Sequence, residues 1–115
     1  MITIEQTKDS LNIAVLGEFT IADFKQFEEN TLYKLQTPGE LNLLFDLRGM
    51  IDYTADVAWE EIKFFSRQHN HDFSKIAVVT SDQWLTWQAW LSRLFVDAEI
   101  CVFQDYDEAT AWIQR

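Results

Sequence analysis

The segment Leu41-Asn-Leu-Leu-Phe-Asp-Leu47 constrains the fold more than any other part of the chain. Its odd positions, Leu41, Leu43, Phe45 and Leu47, are all apolar, while Asn42 and Asp46 interrupt the even ones. That is the period of a β-strand packed mainly on one side. Gly49 is expected to break the strand, and Asp52-Tyr53-Thr54 to form a polar turn. Asp52 or Thr54 can accept a hydrogen bond from a free amide of the turn that follows, so either can cap a helix carrying Ala58, Trp59, Ile62 and Phe65. In an open parallel sheet, ligands and regulatory groups gather at the carboxyl ends of the strands, where helix amino termini present unpaired N–H groups.

The rest of the chain repeats this alternation. Ile2 and Ile4 alternate with Thr3 and Glu5, Lys8-Asp9-Ser10 makes a turn, and Leu11, Ile13 and Val15 alternate with Asn12, Ala14 and Leu16 up to Gly17, which reads as a β-hairpin. Thr20 can cap a helix with Ile21, Phe24, Phe27, Thr31 and Leu35 near one face, and Pro38-Gly39 stops it. Ile76-Ala-Val-Val79 and Ile100-Cys-Val-Phe103 read as strands. Between them, Trp84, Trp87, Trp90, Leu91, Leu94 and Phe95 fall within an arc of roughly 140° at 100° per residue, a helix with an aromatic face. Tyr106 to Ile113 reads as a closing helix.

The order strand, strand, helix, and then three strand-helix pairs predicts an α/β fold. Right-handed crossovers stack these units into an open mixed sheet of five strands, mostly parallel, with the first strand antiparallel at an edge. Strands covered on both faces are apolar throughout. Asn12, Ala14, Asn42 and Asp46 place small or polar groups on one face, so the four helices are expected mainly on the other.

At 115 residues, with 48% apolar content, the chain fits a single domain spanning 1–115. Nineteen acidic against nine basic side chains give a net charge of −10. That charge repels a phosphate backbone, so nucleic acid is not an expected partner. No apolar run approaches the ~20 residues of a transmembrane helix, and the first residues lack the pattern of a signal peptide, so a cytoplasmic protein is expected. Cys101, the only cysteine, sits in an apolar run and reads as a small buried hydrophobe.

The hairpin, the segment Leu43-Leu-Phe-Asp-Leu-Arg-Gly49, Trp59-Glu-Glu-Ile-Lys63, Lys75-Ile-Ala-Val-Val79, Trp84-Leu-Thr-Trp87 and Glu108-Ala-Thr-Ala-Trp-Ile113 together resemble the SpoIIAA-like family. That family is related to the STAS domains of bacterial anti-sigma-factor antagonists, and its fold has been compared with CRAL-TRIO lipid-binding domains. The resemblance implies a fold without catalytic activity, used for protein contacts or for holding an apolar ligand. In STAS antagonists the turn after the central strand carries a phosphorylated serine that controls partner exchange. Asp52-Tyr53-Thr54-Ala55 occupies a similar place, with Tyr53 and Ala55 departing from the small residue and glycine of the STAS motif. A phosphate on Thr54 would add about −1.5 to −2 charges at a helix amino terminus.

Two sites follow as expectations. The first is a partner-binding or phospho-acceptor turn formed by Asp52, Tyr53, Thr54 and Asp56, through which a regulatory module contacts a protein partner or a second copy of itself. The second, on the alternative reading as a carrier or sensor of a lipid-like molecule, is an apolar pocket walled by Trp59, Phe65, Trp84, Trp87 and Trp90. The simpler reading of these large rings is ordinary core. The spacing of Asp46, Asp52 and Asp56 does not compel a bound cation. No phosphate loop, Ser-His-Asp order or paired cysteines appear, so no metal, cofactor or enzymatic activity is expected.

Overall fold

The computed structural model describes residues 1–7, 10–36, 41–53, 73–80 and 98–115, and of Asp52 and Tyr53 the backbone alone. Within these lie β1 (Ile2–Gln6), β2 (Ser10–Phe19), α1 (Ile21–Lys34), β3 (Leu41–Tyr53), β4 (Phe73–Val79), β5 (Glu99–Phe103) and a closing helix α2 (Tyr106–Gln114). The strands form one sheet in chain order, β1-β2-β3-β4-β5. β1 is antiparallel to β2, and every other pairing is parallel. This is the α/β mixed sheet that the alternation predicts, with the antiparallel strand at its edge.

One face is built by the period-two apolar positions. Leu11, Ile13 and Val15 of β2, Leu43 and Leu47 of β3, and Ile76 and Val78 of β4 are all but fully buried, and Phe24 and Phe27 of α1 pack into the same cluster. The Phe27 ring meets Phe45 of β3 at 5.4 Å between centroids. α1 starts where Thr20 supplies its cap: the hydroxyl accepts from the Asp23 N–H, and the Asp23 carboxylate accepts from the Thr20 N–H in return.

The two helices described here take opposite faces of the sheet. α2 packs Ala109, Trp112 and Ile113 on Leu44, Ala77 and Val79, the residues that alternate with those facing α1. The polar groups that pointed to an open face are instead satisfied locally. Asn42 Oδ1 accepts from the Lys75 N–H, Asn12 donates to the Tyr106 hydroxyl, and Asp46 pairs with Arg48. The second and third expected helices fall outside the described residues. Cys101 packs against the α2 cluster but is only half-buried.

Gly49 does not end β3. The strand passes through it by a change of register, Ala14 pairing with Asp46 but Leu16 with Gly49, and continues to Tyr53. β2 keeps step, turning at Gly17 with φ of 68° and running on to Phe19.

Candidate functional site

β3 is the middle strand, and its two neighbours end at different heights. The ladder to β4 closes with Asp46 opposite Val79, whereas the ladder to β2 runs on until Glu18 faces Asp52 and Phe19 faces Tyr53. The stretch from Leu47 to Tyr53 therefore forms, with Leu16 to Phe19, a two-stranded parallel arm beyond the last β3–β4 pair. Met50 and Phe19 anchor the arm in the core, while Ile51 is 75% exposed. Gly49 allows the strands their close approach at the bulge: a methyl group there would come within 2.8 Å of a Leu16 side-chain carbon and 3.2 Å of the Val15 carbonyl oxygen.

Asp52 and Tyr53, expected in a turn, are thus the final paired residues of β3 in their backbone. The remaining members of that site, Thr54 and Asp56, and all five residues of the proposed apolar pocket, Trp59, Phe65, Trp84, Trp87 and Trp90, lie outside the described residues.

On the face that carries α2, the residues bring together a group that periodicity alone did not single out. Asp46 accepts from Arg48 through both carboxylate oxygens, Nε at 2.9 Å and Nη2 at 2.8 Å, and also from the Arg48 backbone N–H at 3.1 Å. The Arg48 guanidinium lies over the Tyr106 ring, 5.5 Å from its centroid. The Tyr106 hydroxyl accepts from Asn12 Nδ2 at 3.3 Å. Burial pushes the Asp46 carboxyl up, but the hydrogen bonds from the Arg48 side chain and backbone, with the guanidinium charge, outweigh burial and hold it below the usual carboxylate value. The bond to Asp46 raises the Arg48 guanidinium in turn. The spacing of Asp46 and Arg48, two apart on one strand and so on one face, was the available signal for their pairing. Nothing local announced Tyr106, which lies 94 positions from Asn12.

Beside this group opens a cleft of about 70 Å³, bounded by Thr3 and Glu5 of β1, Asn12 and Ala14 of β2, Asp46 of β3, and Tyr106. Drug-sized ligands occupy roughly 300–1,000 Å³, so the cleft admits the end of one side chain rather than a lipid tail. Among the described residues no three acidic, histidine or cysteine side chains cluster so as to hold a metal ion, and no helix is long and apolar enough to cross a membrane.

Comparison with known proteins agrees with this architecture. No curated protein matches the sequence. Seven chains of solved structures match. Among them is an uncharacterised protein with a SpoIIAA-like fold from Shewanella loihica PV-4, which is 24% identical, aligns over 98% of this chain and 92% of its own, and superposes with a TM-score of 0.72. That likeness establishes the fold. The family model described as SpoIIAA-like matches residues 10–114, from the first residue of β2 to the last of α2, and the chain therefore belongs to the SpoIIAA-like family.

Proposed function

We propose that the chain is a non-enzymatic, STAS-like interaction module that regulates a protein partner through the end of its central strand and the residues directly after it, Asp52 to Asp56. Membership of the SpoIIAA-like family supports this reading. The observation that carries it is the length of β3: the middle strand stays hydrogen-bonded to β2 as far as Tyr53, well past its last pairing with β4 at Asp46. A chain leaving the sheet from that arm starts at the carboxyl end of the parallel strands, the position at which open sheets of this class present their contacts.

A pull-down comparing wild type, Thr54→Glu and Thr54→Ala tests the proposal. Loss or exchange of a bound partner with Thr54→Glu, and its retention with Thr54→Ala, is the expected result, because a carboxylate introduces the negative charge a phosphate would bring. Identical partners for all three proteins would argue against control through this segment.

A further inference from the structure

We infer that the part of the second sheet face beyond α2, over β1 and the adjoining side of β2, is a docking surface for a basic amphipathic helix of a protein partner. The geometry of the sheet sets the width. α2 packs chiefly on β4, also touches β3 and β5, and reaches β2 through the hydrogen bond from Asn12 to the Tyr106 hydroxyl. Strands are spaced by about 4.8 Å, so a helix seated on β2, two strands along, would run about 9.6 Å from α2. That matches the roughly 8–10 Å between packed helix axes. The floor at that place suits close approach: Ala14 has almost no side chain, and Leu16, the next residue of β2 on the same face, is 41% exposed.

Charge decides the occupant. Glu5, on the β1 rim of the shelf, is exposed and has no cationic partner among the described residues, whereas the nearby positive charge of Arg48 is already taken by Asp46. The cleft between Glu5, Asn12 and Tyr106 has the size of a lysine terminus, whose N–H donors match the Glu5 carboxylate at its edge. A second copy of the chain, also at −10, would meet like charge. A partner helix with lysines along one side and leucines along the other meets both requirements. The shelf shares no residue with the segment from Asp52 to Asp56, so the two proposals stand or fall separately.

The test is fluorescence anisotropy of a labelled synthetic peptide of about 18 residues, leucines and lysines arranged as an amphipathic helix. Wild type is expected to bind it. Glu5→Lys and Leu16→Asp are each expected to weaken binding about tenfold or more, whereas Glu29→Lys, the same charge change on the exposed side of α1, leaves affinity unchanged. Should circular dichroism show that Leu16→Asp perturbs the fold, Leu16→Ala decides in its place, with a loss in the same direction. Three results would overturn the proposal: no binding by wild type, an equal loss with Glu29→Lys, or a wild-type dimer that dissociates on mutating Leu16, which would make a second copy the occupant.

Discussion

Thr31 carries the one side-chain polar atom, among the described residues, that is buried with no hydrogen-bond partner. It sits on the inner face of α1 in the cluster formed by Phe24 and Phe27. Burying an unpaired hydroxyl costs about 1–3 kcal/mol, while valine has nearly the same shape. Thr31→Val is therefore expected to raise stability by about 1 kcal/mol, seen as a higher denaturant midpoint at unchanged slope; a lower midpoint would mean that the hydroxyl finds a partner in solution. The Asp46–Arg48 pair gives a second prediction. A carboxyl whose folded value lies below its unfolded value contributes stability that is present above the unfolded value and lost as pH falls through the folded one. Since Asp46 is held below about 3.8, its contribution is complete near neutrality and starts to be lost only as pH falls below about 3.8. Arg48 is half-exposed, which limits the pair to about 1 kcal/mol or less. Asp46→Asn should accordingly lower the unfolding midpoint at pH 7 and lower it by less at pH 3. A uniform loss at both values would assign the effect to something other than ionisation. At this scale the sequence was readable where partners are neighbours, as with Thr20 and Asp23, and unreadable where the chain must fold first, as with Asn12 and Tyr106.

The elements themselves were largely legible, but not their ends. Leu11, Ile13, Val15 and Leu41, Leu43, Phe45 and Leu47 mark β2 and β3 by their period alone. Gly17 and Gly49 then read as stops, because an isolated glycine in a strand pattern signals either an end or a bulge. Which of the two applies is settled by register with the neighbouring strand, a long-range property. Both glycines prove to lie at bulges of one paired arm. Gly17 adopts a φ of 68°, where a Cβ costs roughly 1–2 kcal/mol. Gly17→Ala should destabilise by about that amount even though the space around it is open, and calorimetry should show a lower Tm. An unchanged Tm would mean that the bulge relaxes without cost. The capping box of α1 belongs to the same scale: Thr20→Ala removes the acceptor for the Asp23 N–H and should cost about 1 kcal/mol.

For the whole molecule, the strand order and the antiparallel edge followed from the alternation of elements, whereas the placing of α2 on the face opposite α1 did not. Asn12, Asn42 and Asp46 looked like surface residues, yet each is occupied by a partner: a tyrosine hydroxyl, a backbone N–H of β4 and a guanidinium. Alternation of polar with apolar residues reports what a strand face touches only when those polar groups face water. The functional reading rests on a different global feature, a central strand that outruns its pairing with β4 and stays paired to β2 as far as Tyr53. The most direct test places a photo-activatable amino acid at position 54 and, as a control, at position 29 on the exposed side of α1, and irradiates living cells. The account predicts a discrete crosslinked adduct from position 54 that is absent from position 29. Adducts from neither position, or the same adducts from both, would contradict it.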